Sequence, residues 1–430
     1  MKSSKRKICQ VLALLVSGLG ATAAMASPNV QGGGSSLVAP TIGAIGNSAT
    51  EIGLFGTAEG SFTYFSVGSG AGQNAFLNNQ PTFFGAGVTG TVHFANSDAA
   101  LSTAQLTSYK AGLGATNGPL IQIPYIVTPI TVPVVNGPAV TSTTTPQTTP
   151  GQAHSIALND DDLCGIFSGK LTNWNQVTNP ETSAVYTTNA PIKVIYRSDG
   201  SGTTELLTRH LAAVCKTANT ATGVTFVDSL TFTASFPGGV VPSNFTPASG
   251  SGGVRNALSA STGAAVAYLS PDYTNTFLAP SSTVVTSAGA LQLPVASLVN
   301  QTNGVYYAPT YANATTALGT VTPPGKLTAN NPAAWVPAAG NPVSGYPVSG
   351  TSQIILSQCY KDATVKTAVH DFLNSHYTNA SFASIVHGNG FDTVPSNFQT
   401  AISADFLSNT SGFNLDIGNA GVCTGTVVGR

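Results

Sequence analysis

Apolar blocks rich in Val, Ile, Phe and Tyr alternate along this chain with amphipathic blocks of helical period. The first kind predicts strands over Gly60–Val67, Val88–Ala95, Leu120–Thr128, Ile192–Arg197 and Ala264–Ser270. The second predicts helices over Gly72–Asn79, Thr103–Lys110, Asp160–Phe167, Thr203–Cys215, Val254–Ser259 and Asp362–Ser375. Strand and helix in alternation point to an α/β architecture. Thr141–Gln152 is a Thr/Pro stretch read as a surface loop. Residues 274–350 are rich in Ala, Thr, Pro and Asn and have weak periodicity. They read as long loops with a few strands and not as a separate domain. Val, Tyr and Leu recur there too often for a disordered linker.

The first 26 residues follow another pattern. Lys2, Lys5, Arg6 and Lys7 precede an apolar run from Ile8 to Ala24, and Ala24-Met25-Ala26 fits a small-x-small cleavage site. This predicts a secretory signal peptide cut after Ala26. Ser17 and Gly18 break the run, which is shorter than the roughly 20 residues of a spanning helix. No later stretch is apolar enough to span a bilayer, so a periplasmic or secreted mature chain is expected.

Composition narrows the function classes. Only 7% of the 430 residues are charged, 15 Lys+Arg against 16 Asp+Glu; an ordinary soluble domain has roughly 25%. A nucleic-acid binder needs a basic face, and too few cations exist to build one. Hydrophobic residues make up 42%, which excludes wholesale disorder. Removing the signal peptide takes away four cations and leaves a net charge of −5. An anion ligand would then need a purpose-built local site, because the general field repels it. Four cysteines remain, Cys164, Cys215, Cys359 and Cys423. An oxidising compartment predicts two disulfides. Three connectivities are open, and nearest-neighbour pairing is the simplest. There is no C-x-x-C or C-x-x-H, and no metal or other cofactor is expected.

Several segments carry candidate chemistry. In Ile195 to Leu207 an apolar strand ends at Arg197, a Ser-Asp-Gly-Ser-Gly loop follows, and a helix starts near Thr203. Free N–H groups and the positive end of the helix make an anion cradle. Ser201 and Thr203 add hydroxyl donors, and Arg197 adds a planar fork suited to a tetrahedral oxyanion. Tyr64 to Phe76 repeats the logic with Gly-Ser-Gly-x-Gly, where Ser69 is the N-terminal hydroxyl. Gly32 to Leu37 is again glycine-rich before an expected helix. Asn96-Ser97-Asp98 follows a strand and reads either as a helix N-cap or as a selectivity device. A carboxylate beside anion donors repels a fully ionised ligand and accepts a hydrogen bond from one that keeps a proton.

These segments resemble the DING proteins. Asn29 to Leu37 is similar to the N-terminus that gives that family its name, with Asn29-Val30-Gln31 in place of Asp-Ile-Asn. Val67 to Gly70, Ala95 to Asp98 and Tyr196 to Thr208 resemble the family's phosphate-contacting segments. Ser198-Asp199-Gly200 looks more like the phosphate-binding proteins of phosphate-specific ABC transporters, as does Leu163 to Trp174. Ile355 to Tyr360 and Ile417 to Cys423 are similar to the DING C-terminal region.

The resemblance implies a type II periplasmic-binding-protein fold: two α/β domains joined by a two-crossing hinge, with the ligand cleft between them. Residues 27–128 and 267–430 would form the first domain and 129–266 the second. It supports the nearest-neighbour disulfides. Carried over by position, phosphate would be held by Ser36, the Leu37 N–H, Ser69, Asp98, Arg197, Ser201, Gly202 and Thr203. The expected function is capture of inorganic phosphate by a monomer, for an ABC permease or as an extracellular scavenger. The alternative is a DING-type alkaline phosphatase. The residues speak against it, because the six histidines are scattered and Asp160-Asp161-Asp162 reads better as a capping run than as an ion site. A carbohydrate-binding or adhesive surface is a weaker third reading.

Overall fold

The computed structural model describes residues 27–149, 151–274, 293–337 and 340–430. The expected signal peptide and part of the loop-rich 274–350 region lie outside the described residues. Ten strands in two sheets position the cleft: β1 (Asn29–Gly34), β2 (Ser61–Ser66), β3 (Phe94–Ser97), β4 (Leu120–Pro129), β5 (Val134–Val135), β6 (Lys193–Arg197), β7 (Phe245–Ala248), β8 (Ala265–Ala267), β9 (Ser349–Ser357) and β10 (Asp392–Thr393). One sheet has the order β10-β4-β9-β3-β1-β2, and the other β7-β6-β8-β5.

In the first sheet β1 pairs in parallel with β2 and β3, while β9 runs antiparallel to β3 and β4. In the second, β6 pairs in parallel with β7 and β8. Helices pack on each sheet, so β4 and β9 are buried throughout, although β4 is mainly apolar and the first half of β9 is polar. We call the two halves the first and second lobes. The chain leaves the first sheet after Pro129 and returns to it at Ser349. Between the sheets Thr131 pairs antiparallel with Leu269, and Pro133 with Val295. Thr131 N–H and Leu269 N–H each donate to the other's carbonyl, at 2.8 and 3.0 Å. The outgoing and returning segments thus lie side by side, as a pair of hinge strands would.

Several elements depart from the expected pattern. The glycines at 32–34 lie inside β1 and do not merely precede a helix. Close packing explains them: a Cβ on Gly32 would fall 2.5 Å from the Phe94 ring. The strand expected over Val88–Ala95 is Phe94–Ser97 instead. Gly87 and Gly90 have φ of +82° and +95°, which breaks the extended run before it. Ser97 and Asp98 cap no helix; the next helix, Thr103–Ala111, is capped by Ser102 in a reciprocal box with Gln105. Strand β9 was not expected. Within the described part of 274–350, Ser297–Asn300 joins a three-stranded sheet with Val305–Tyr307 and Ala157–Leu158.

Both expected disulfides are present. Cys164 bonds Cys215 with Cα atoms 5.6 Å apart, and Cys359 bonds Cys423 at 5.4 Å. The first ties the helix Asp160–Ser168 to the far end of the helix that begins at Gly202. Each closes a loop worth roughly 4 kcal/mol in the chain-entropy description.

Candidate anion-binding cleft

Five strand ends converge between the lobes. After β1 the chain turns through Ser35 and Ser36 into the short helix α1 (Ala39–Ile42). After β2, Gly68 at φ +91° turns the chain into α2 (Ser69–Asn78). After β3 comes Asp98. From the second lobe β6 ends at Arg197, and Ser201 caps α3 (Gly202–Val214) by accepting a hydrogen bond from the Thr204 N–H. After β7 the chain enters α4 (Gly250–Ser259). Anion-binding loops at the carboxyl ends of parallel strands are the geometry that such sheets favour.

The first wall carries hydroxyls and one carboxylate. Asp98 is 3% exposed, and its Oδ1 accepts from Ser35 Oγ at 2.6 Å and Ser352 Oγ at 2.8 Å. Its N–H donates to Ser69 Oγ at 3.2 Å. Burial pushes its carboxyl above the ordinary value, and the Ser35 and Ser352 hydroxyls, Arg197 and Ser69 offset that only in part. The Leu37 N–H donates to Ser35 Oγ at 3.1 Å. Tyr64 Oη donates to the Ser35 carbonyl at 2.7 Å and so holds the turn.

The second wall carries the cation. Arg197 is 2% exposed. Its Nε and Nη2 donate to the two oxygens of Asp199 at 2.7 and 2.5 Å, and its Nη1 reaches Ser251 Oγ at 3.4 Å. The Gly250 N–H adds a 3.0 Å bond to Asp199. Burial alone would raise the Asp199 carboxyl, but the Arg197 fork and charge outweigh it and hold it below the usual range. The fork is therefore fixed edge-on by Asp199, with Nη1 on the side of Ser251. Thr203 Oγ1 is buried and has no partner among the described residues. Such an orphan hydroxyl is a ready ligand donor.

The walls touch. Ser36 Oγ lies 2.9 Å from Ser251 Oγ and accepts from the Ser251 N–H at 3.1 Å. Gly70 N–H donates to the Gly200 carbonyl at 2.9 Å. A Cβ on Gly202 would lie 2.5 Å from Asp98 Cβ and 2.6 Å from Ser69 Oγ. The cleft thus draws all eight expected residues together: Ser36, Leu37, Ser69 and Asp98 from one lobe, and Arg197, Ser201, Gly202 and Thr203 from the other. It adds Ser35, Asp199, Ser251 and Ser352. Ser251 had a signal, since Ser249-Gly250-Ser251-Gly252-Gly253 repeats the glycine–serine loop before a helix. Ser352 had none.

Of the Asp160–Asp162 run only Asp162 caps the helix, as the reciprocal partner of the N-cap Asn159. Asp162 accepts from the Asn159 and Thr178 N–H groups, while Asp160 pairs with His210 and Asp161 with Asn219. Among the described residues no group of three or more His, Cys, Asp or Glu could hold a metal ion.

A model of the PBP superfamily domain matches residues 20–374. The chain belongs to the PBP superfamily. Within it the chain is similar to "Alkaline phosphatase L" of Pseudomonas aeruginosa, 37% identical over 366 residues, which span 84% of this chain and 86% of that one. It is also similar to a "Phosphate-binding protein" of an unknown prokaryotic organism, 35% identical over 84% of this chain and 92% of that one. Among solved structures it matches the high-affinity periplasmic phosphate-binding protein PfluDING, bound with phosphate, with a TM-score of 0.74 and 34% identity. That match covers 94% of this chain and 99% of the other. A phosphate-binding protein from Stenotrophomonas maltophilia matches at 0.75 and 30%, over 94% and 100%. The type II PBP fold and the membership among DING-type proteins follow. No helix among the described residues is long and apolar enough to cross a membrane.

Proposed function

We propose that this PBP-superfamily chain captures inorganic phosphate in the cleft between its lobes. The observation that carries this is the burial of Arg197 and Asp98 in one cleft, on opposite walls. Arg197, the Thr203 hydroxyl and the N–H groups at the start of α3 supply donors to the oxyanion. Asp98 supplies an acceptor for a ligand proton. Phosphate keeps a proton at neutral pH and sulfate does not, so the pair favours phosphate by both attraction and repulsion. The likeness to phosphate-binding proteins of the DING type supports this reading.

In this reading the lobes hinge about the paired segments near Thr131 and Leu269, with domain boundaries at 128/129 and 266/267. The chain works as a monomer in the periplasm or outside the cell, and a phosphate ABC permease is the candidate recipient. Calorimetry on phosphate-free protein tests the reading. Tight phosphate binding with far weaker sulfate binding is expected; no phosphate binding, or equal affinity for sulfate, overturns it.

The name of the Pseudomonas aeruginosa relative favours a second reading, phosphate-ester hydrolysis. Turnover of an aryl phosphate by the purified protein, lost in Arg197→Ala and Ser201→Ala, would establish it. Each histidine ring bonds a partner other than Ser201 or Thr203, which speaks against a histidine base for those hydroxyls.

A further inference from the structure

Asp98 is held by two hydroxyls that arrive from remote parts of the chain. Ser35 stands at the turn after β1, 63 positions away, and Ser352 lies in the returning strand β9, 254 positions away. Both donors fall on the same oxygen, Oδ1, at 2.6 and 2.8 Å. Neither reaches Oδ2. Ser35 Oγ also accepts the Leu37 N–H, which fixes the direction of its own proton toward Asp98. Ser35 and Ser352 are buried, at 1% and 0% exposure, so water does not compete for these bonds.

We propose that Ser35 and Ser352 are positioning residues for anion selectivity: by filling Oδ1 of Asp98 with donated protons they keep the carboxylate an acceptor and direct Oδ2 to the ligand's proton. The proposal rests on the phosphate-binding reading and deepens it. A hydroxyl that donates to a carboxylate stabilises its charged form. Burial works the other way and favours a neutral Asp98. A neutral Asp98 would no longer repel sulfate, and its own proton would serve a fully ionised oxyanion as a donor. The two serines therefore shift the balance toward the form that demands a proton from the ligand.

Other groups act on Asp98 from every side. Arg197 on β6 and the Ser69 hydroxyl at the start of α2 also favour the carboxylate. Glu205 on α3, Asp272 after β8 and Tyr64 on β2 also interact with it electrostatically. All of these remain in the variants proposed below, so a change is assignable to the missing hydroxyl.

The test is phosphate and sulfate calorimetry from pH 5 to 9 on wild type, Ser35→Ala and Ser352→Ala, with thermal unfolding of each. In wild type the phosphate-to-sulfate affinity ratio falls as acid protonates Asp98. In each variant that fall is expected at higher pH, which makes the ratio several-fold lower than wild type within the shifted window. Phosphate affinity at pH 8 to 9 should fall less than the selectivity ratio does, and because Ser35→Ala also frees the Leu37 N–H, Ser352→Ala is the cleaner reading. Coincident ratio-versus-pH curves in the folded variants overturn the proposal. So does an equal loss of both anions at every pH, which marks a packing role only. If one variant does not fold, the other decides. If wild type itself binds no phosphate, the phosphate reading falls and takes this proposal with it; wild-type binding with unshifted variants defeats the proposal alone.

Discussion

The two walls of the cleft are built from the same kind of turn and do opposite work. On each, a strand ends in a glycine–serine loop that opens a helix. The second wall then sets a cation, Arg197, against the cleft and locks it with Asp199. The first wall sets an anion, Asp98, among hydroxyls. A site made from the second wall alone would take any small oxyanion. A site made from the first alone would repel all of them. In the proposed reading they face each other across a low-dielectric cleft, where one supplies attraction and the other sets the condition that the ligand bring a proton. This also explains how a chain of net negative charge after signal removal could hold an anion: the attraction is local, buried and oriented.

The comparison breaks first at Arg197. Arg197→Ala removes the cation and leaves Asp199 buried without its fork. Loss of one partner of a buried hydrogen-bonded charge pair costs about 2–5 kcal/mol, so phosphate affinity by calorimetry should fall by roughly 30-fold to several thousand-fold. Retained affinity would show that the helix N-terminus alone suffices.

Acid should damage the first lobe through His93, which lies just before β3. Its Nδ1 accepts from the Gln31 N–H at 3.1 Å, a role that needs the neutral ring. Burial, then the Arg430 charge, brings its pKa down from 6.5 to about 4. The unfolded chain therefore takes up this proton first. Stability is full above pH 6.5 and is lost as pH falls toward 4, by up to about 3 kcal/mol. Denaturant unfolding at pH 7 and pH 4.5 should show the loss in wild type and a smaller one in His93→Gln. Equal slopes would remove His93 from the account.

Gly202→Ala tests whether the walls must meet. Its methyl would press on Asp98 Cβ and Ser69 Oγ, and overpacking of this kind costs about 1–3 kcal/mol. Weaker phosphate binding with unchanged thermal stability of the ligand-free protein is expected, because the clash exists only when the lobes close. A smaller effect attaches to Ser251→Ala, which removes the Ser36–Ser251 hydroxyl contact between the lobes and the long Arg197 Nη1 bond to Ser251. A net hydrogen bond is worth about 1 kcal/mol, and stopped-flow release of phosphate should speed up several-fold. Unchanged release would leave the Ser251 backbone N–H as the effective link.

Much of this was legible in the sequence where the chemistry is local. A strand running into Gly and Ser and then an amphipathic helix announces its own anion cradle, and that pattern located Ser69, Arg197 and Ser201 within their loops. Asp98 was legible as a carboxylate at a strand end, although its alternative reading as a helix cap was wrong. What local pattern could not show is which loops face one another. The Ser36–Ser251 contact spans 215 positions and Ser352–Asp98 spans 254. Those pairs exist only because the chain crosses twice between sheets and returns in β9. That strand was itself hidden: Ser349-Gly350-Thr351-Ser352-Gln353 is polar by composition, yet it is buried at the centre of the first sheet.

The division of labour between the walls is tested most directly by the ratio of phosphate to sulfate affinity in wild type and in Asp98→Asn at neutral pH. Asparagine keeps the size of the side chain, removes its charge, and adds N–H donors. The account predicts a large ratio in wild type that collapses in the variant, with sulfate binding gained and Arg197 unchanged. A ratio that survives Asp98→Asn intact would contradict it, and selectivity would have to be sought on the wall that carries Arg197.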